Sequence, residues 1–111
     1  QAETAGQAFA VQCDVGIKEQ VYELSEQAEK LMGHPVTLLI NNAGVGLGGK
    51  FDEVSLEDWQ WCMHVNLWGV IHGCHYFVPK FKKQGYGAII NVASAAGYTA
   101  APEMTAYNVI K

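Results

Sequence analysis

Residues 88–111, AIINVASAAGYTAAPEMTAYNVIK, decide how the rest of the chain is read. The stretch opens on a short apolar run rich in β-branched residues, Ile89, Ile90 and Val92, which predicts a buried strand over 88–93. Ser94 follows at the strand's carboxyl end. A loop of small residues leads to Pro102, and then to Tyr107 and Lys111, four apart. In a helix over 104–111 these two share a face, with Cβ atoms roughly 5–6 Å apart. A phenol, an ammonium and a hydroxyl at a strand end are the parts of a proton-transfer site.

A tyrosine hydroxyl ordinarily titrates near pH 10. A fixed ammonium ~6 Å away, at an effective dielectric of ~20, favours the phenolate by about 2.8 kcal/mol. That corresponds to roughly two pH units, which brings an acid/base towards working pH. Ser94 is placed to hold the oxygen of a reacting carbonyl or alcohol while Tyr107 passes the proton. The spacing alone is weakly specific. With 5 tyrosines and 7 lysines in 111 residues, about 0.3 Tyr-x-x-x-Lys pairs arise by chance. The second such pair, Tyr76 and Lys80, has no strand-end serine before it, and Pro79 is expected to bend the helix there.

Working outward, half of the residues are hydrophobic and 16% are charged, so the chain can build a core and reads as one globular domain or part of one. No apolar run approaches the length of a membrane span, and no signal peptide is visible at the first residue. The chain starts at Gln1 and stops on Lys111 itself, so both ends read as cut. Net charge is −4 and all seven basic residues are lysines, which disfavours a nucleic-acid partner. Cys13, Cys62 and Cys74 read as reduced thiols of a cytoplasmic protein.

Upstream, residues 8–13 form a short apolar run ending at Asp14, which predicts a strand. Apolar positions at 17, 21, 24, 28 and 31 predict an amphipathic helix, capped by Gly33 and stopped by Pro35. Residues 36–40, VTLLI, predict a strand covered on both faces. Strand, helix and strand in this order predict a parallel α/β sheet. Asn41-Asn42-Ala43-Gly44 follows at a carboxyl strand end, where ligands of such sheets bind.

Gly44, Gly46 and Gly49 fit G-x-G-x-x-G, but the next helix start, Ser55-x-x-Asp58, comes only six residues later. A mobile, glycine-rich active-site loop fits better than a phosphate loop. Residues 56–83 predict one long helix, bent near Gly69, Gly73 or Pro79. Asn66 lies within its apolar stripe, as a structural asparagine bonding the bent backbone or as part of a site. Cys62, His64, His72, Cys74 and His75 do not share one ligand face, so no metal is expected.

With Asn-Asn-Ala-Gly, Asn66, Ser94 and Tyr107-x-x-x-Lys111 in this order, the chain resembles the short-chain dehydrogenase/reductase family over almost its whole length. The resemblance implies a Rossmann-like, doubly wound parallel sheet and hydride transfer between NAD or NADP and a carbonyl or alcohol. It implies that Tyr107 is the acid/base, that Ser94 positions the substrate oxygen, and that Lys111 lowers the tyrosine's pKa and binds the nicotinamide ribose. Asn66 would hold a water of the proton relay. Asp14 and Val15 would flank the adenine, while Asn41, Ala43 and Gly44 would line the cofactor and support the central sheet.

The family's N-terminal glycine-rich phosphate loop, its first strands and its C-terminal strands have no counterpart here. The chain therefore reads as 1–111 of the central part of one NAD(P)-binding domain, an incomplete Rossmann-like sheet expected to be inactive by itself. A homo-oligomer is implied for the longer protein, paired through the helices carrying Asn66 and Tyr107. A catalytically silent scaffold, and a dehydratase or epimerase on the same fold, are the competing readings. The choice between NAD and NADP and the identity of the substrate stay open.

Overall fold

The computed structural model describes residues 6–111. The apolar period from Ile17 produces α1 (Lys18–Met32), which Gly33 ends with a φ of 73°, a left-handed cap that glycine adopts without a Cβ penalty. Beyond Pro35 come β1 (Leu38–Asn41), α2 (Leu56–Met63), α3 (Gly69–Gln84), β2 (Ala88–Asn91) and α4 (Thr105–Ile110). A 3-10 turn, Ala95–Gly97, links β2 to the approach to α4.

The two strands pair in parallel, Leu38 opposite Ala88 and Asn41 opposite Asn91. The ladder continues past both ends, through Ala88 N to Thr37 O and Val92 N to Asn41 O. One face of the sheet is covered. Val36, Phe77 and Phe81 form its core, with Leu39, Ile89, Ala28 and Tyr76 packed against it. The helices behind this face are clamped by charge. Lys80 on α3 reaches Glu26 at 2.8 Å and Glu29 at 3.0 Å, both on α1, and Tyr76 packs on Tyr22.

The other face departs from the reading of VTLLI. Leu38, Ile40, Ile90 and Val92 are 46%, 52%, 49% and 41% exposed, so among the described residues this strand pair is covered on one side only. The expected strand over 8–13 also fails to form. Residues 7–14 make no ladder, because β1 and β2 pair with each other and, among the described residues, no further strand lies beside this segment. It runs along α1 instead, with Phe9 and Val11 sharing a groove with Leu24, Ala28 and Leu31.

The long helix is interrupted just before Gly69, the first of the expected bend positions, and not at Gly73 or Pro79. Ser55 caps α2, accepting from Asp58 N at 3.0 Å and donating to the Asp58 carboxylate at 2.7 Å. One π-helical turn, His64–Trp68, then separates α2 from α3, with Gly69 N bonded to His64 O. The helix continues unbroken through Pro79 to Gln84. The irregularity therefore sits around Asn66, and such single π turns often mark functional sites.

Candidate active site

The carboxyl ends of β1 and β2 are held together by their terminal residues. Asn41 Nδ2 donates to Asn91 Oδ1 at 2.8 Å and lies 3.7 Å from Cys74 Sγ. Beyond Asn41 the chain crosses in front of the helix, and Asn66 seizes it. Asn66 Oδ1 accepts from Val45 N, and Nδ2 donates to Val45 O, both at 2.8 Å. Asn66 is only 5% exposed. Its amide thus spans from helix to loop, and does not patch the backbone of its own bent helix.

The glycine-rich loop is less free than its composition suggests. Its start is fixed by Asn66. Its end is fixed by Gly49 N, which donates to Glu103 O at 2.6 Å in an isolated parallel bridge between Gly49 and Met104. Glu103 adopts a φ of 58°, uncommon for a residue with a side chain, just ahead of α4. The loop and α4 are therefore coupled through one carbonyl.

Lys111 closes the cluster. Its Nζ donates to Val92 O at 3.3 Å, at the end of β2, and lies 6.0 Å from the centroid of the Tyr107 ring. A Cβ placed on Gly44 would lie 3.2 Å from Asn66 Oδ1 and 3.5 Å from Lys111 Nζ. Asn66, Gly44, Lys111 and Tyr107, separated by up to 67 positions, thus meet at one end of the sheet. Ser94 stands at the start of the 3-10 turn, half-buried, its Oγ accepting from Ala96 N at 3.2 Å. Among the described residues no hydrogen bond joins it to Tyr107.

Val15, Asn41 and Ala43 line a second feature, a cavity of about 130 Å³ that also touches Leu39, Gly69 and Phe77. Asp14 lies outside it. Its carboxylate accepts from Gly16 N at 2.9 Å, its backbone N–H donates to Gln20, and Val15 O lies 2.9 Å from His72 Nδ1, which donates to it. The turn at 14–16 is thereby fixed against both α1 and α3.

The rival tyrosine-lysine pair has a different fate, since Tyr76 and Lys80 are both spent on the α1–α3 interface. Among the described residues no three His, Cys, Asp or Glu gather as metal ligands. Sequence reasoning missed Asn91, Cys62 and Cys74 as partners of the site asparagines. For Asn91 a signal was present, because LLIN and AIIN end alike and pair in register.

The short chain dehydrogenase family model matches residues 1–111, and the chain belongs to that family. It is 35% identical over 106 residues to a CLA biosynthesis dehydrogenase/reductase of Lactiplantibacillus plantarum, covering 95% of this chain and 37% of the relative. It is 34% identical over 102 residues to an NADP-dependent (R)-specific alcohol dehydrogenase of Lentilactobacillus kefiri, covering 91% of this chain and 40% of the relative.

Among solved structures, a short chain dehydrogenase/reductase from Burkholderia phymatum in complex with NAD superposes with a TM-score of 0.87 at 42% identity. That match covers 92% of this chain and 36% of the other. The chain thus spans about two-fifths of the length of these three proteins. The fold is accordingly the α/β, Rossmann-like, doubly wound type, of which these residues hold a two-stranded parallel portion with its helices.

Proposed function

We propose that these residues form the central part of the NAD(P)-binding domain of an oxidoreductase acting on a carbonyl or alcohol, with Tyr107 as general acid/base. The observation that carries the reading is the meeting of Lys111 and Asn66 at Gly44 beside Tyr107, while the alternative pair, Tyr76 and Lys80, is consumed in packing. When bound, NAD or NADP supplies or accepts the hydride. The residues present fit such a group. Gly44 leaves an open position between Asn66 and Lys111, and Ala43, Gly44 and Asp14 are exposed at the sheet's carboxyl end.

Asp14 and Val15 would hold the adenine end, Asn41, Ala43 and Gly44 the wall, and Lys111 the nicotinamide ribose. Ser94 fixes the substrate oxygen, Tyr107 delivers or removes its proton, and Asn66 keeps the relay in place. Lys111 has three donors and uses one on Val92 O, which leaves hydrogens for a ligand. Tyr98, 96% exposed, with Leu47 and Met104, suits an uncharged substrate. Leu56 and Val109, 76% and 71% exposed on α2 and α4, support pairing of two copies through these helices. Three unpaired cysteines support a reducing, cytoplasmic setting.

The test is Tyr107→Phe in the full-length protein carrying this chain, assayed for NAD(P)H turnover with carbonyl and alcohol panels. Turnover is expected to fall by at least about 10²-fold, since positioned acid/base groups contribute ~10²–10⁴-fold. Tyr76→Phe is expected to stay within a few-fold of the parent. The reverse pattern, a crippled Tyr76→Phe and a sound Tyr107→Phe, would refute the site.

A further inference from the structure

We infer that Cys62 is the positioning residue that locks Asn66 onto the loop at Val45. The inference rests on the reading that Asn66 belongs to the reaction site. An asparagine amide has two hydrogens and a carbonyl to satisfy. Val45 takes the carbonyl and one hydrogen, and thereby fixes which way round the amide sits. The other hydrogen must end on something, and the side chain is almost wholly buried. What it meets is Cys62 Sγ at 3.1 Å, four residues earlier on α2 and 0% exposed.

Aliphatic residues at 62 would pack equally well but would leave that hydrogen without an acceptor in a place water does not reach. Burial pushes the Cys62 thiol up, against the opposing pull of the Asn66 bond and of Lys111, so the sulfur stays a neutral acceptor. The thiol is the third anchor of an amide whose other two hold the loop carrying Gly44 under Lys111. Its loss allows Asn66 to swing, and the Gly44–Val45 backbone goes with it.

The experiment compares Cys62→Val, which fills the space without an acceptor, with Cys62→Ser, which restores one, in the full-length protein. Cys62→Ala replaces the valine variant where valine does not fit. Hydrogen exchange of the Val45 amide reads the lock directly, and turnover reads its consequence. Exchange is expected to rise at least about tenfold in Cys62→Val, with turnover down roughly ten- to hundredfold, as for a misplaced catalytic group. Cys62→Ser is expected to restore most of both.

Unchanged Val45 exchange in Cys62→Val overturns the assignment, whatever turnover does. So does equal loss in Val and Ser variants that tracks their melting temperatures, which would make the residue a packing element only. Faster exchange with unaltered turnover upholds the thiol's hold on Asn66, and refutes instead the placing of Asn66 in the reaction. Tyr107→Phe tests that reaction independently.

Discussion

Gly73→Ala is a substitution on which helix propensity and packing disagree in sign. Position 73 is buried within α3, where alanine is intrinsically better than glycine by about 0.8–1.0 kcal/mol. The structure opposes this. A Cβ at Gly73 would overlap Asn41 Oδ1 and lie 3.0 Å from Cγ and 3.2 Å from Nδ2. Asn41 cannot retreat without cost, because Nδ2 donates to Asn91 Oδ1 at 2.8 Å, tying the strand ends together.

Displacing the amide loses roughly 0.5–1.5 kcal/mol of hydrogen bonding and adds ~1–3 kcal/mol of overpacking. Set against the propensity gain, the net is a destabilisation of about 2 kcal/mol. Urea unfolding of the full-length protein measures it, read as a lower midpoint at unchanged slope. The same change in an Asn41→Ala background meets no amide, so there it is expected to be neutral or stabilising by up to about 1 kcal/mol. A stabilised Gly73→Ala single variant, or an equal penalty in both backgrounds, would refute the close-approach argument.

Removing the α1–α3 clamp should have a defined pH window. Lys80 is held above its ordinary value of 10.5, first by its hydrogen bond to Glu26, with burial opposing. Glu26 is held below its ordinary 4.5, first by the same bond. The stability difference between parent and Lys80→Met should therefore be full between these values. It should shrink as pH rises through the raised lysine pKa, and as pH falls through the lowered glutamate pKa. A difference independent of pH across both limits would show that the clamp acts through packing of the lysine stem alone. The 111-residue polypeptide by itself, with one sheet face half-exposed, is expected to show no cooperative unfolding and no saturable NAD(P)H binding. A sharp thermal transition with saturable cofactor fluorescence would contradict this.

Local patterns made much of the fold legible. The period of α1, its Gly33 cap, the Ser55 cap and both observed strands follow from residues within a few positions of each other. The strand at 8–13 was misjudged because a strand is defined by its neighbour, and hydrophobic composition cannot say whether one lies alongside. The break in the long helix lies beside Gly69, whose N–H closes the π turn, and not at Gly73 or Pro79. Gly73 and Pro79 also weaken helices, yet the irregularity falls on the turn that carries Asn66, which bonds the loop at Val45.

The proximity of Lys111 to Tyr107 was legible because a spacing of four puts two side chains on one helix face. Contacts were illegible where partners lie far apart in sequence, as with Cys62 and Cys74 beneath the two asparagines. The fixed ends of the glycine-rich loop depend on the carbonyl of Glu103, and no motif marks a carbonyl.

The π turn at His64–Trp68 fits one more residue into a winding than an α-turn holds, and each α-helical residue advances the azimuth by about 100°. The stretch from Leu56 to Gln84 is therefore two helical segments joined about 100° out of phase, and a single helical wheel drawn through both misplaces one segment relative to the other. The phase jump lets one continuous rod serve two clients. One part, α3, aims Phe77 and Phe81 at the sheet, while the other, α2, sets Cys62 against the Asn66 amide that holds the loop. A substitution within those five residues does not alter the residue count that sets this offset. A change in their number resets it, so this short span counts residues more strictly than the surface loops on either side of the helix.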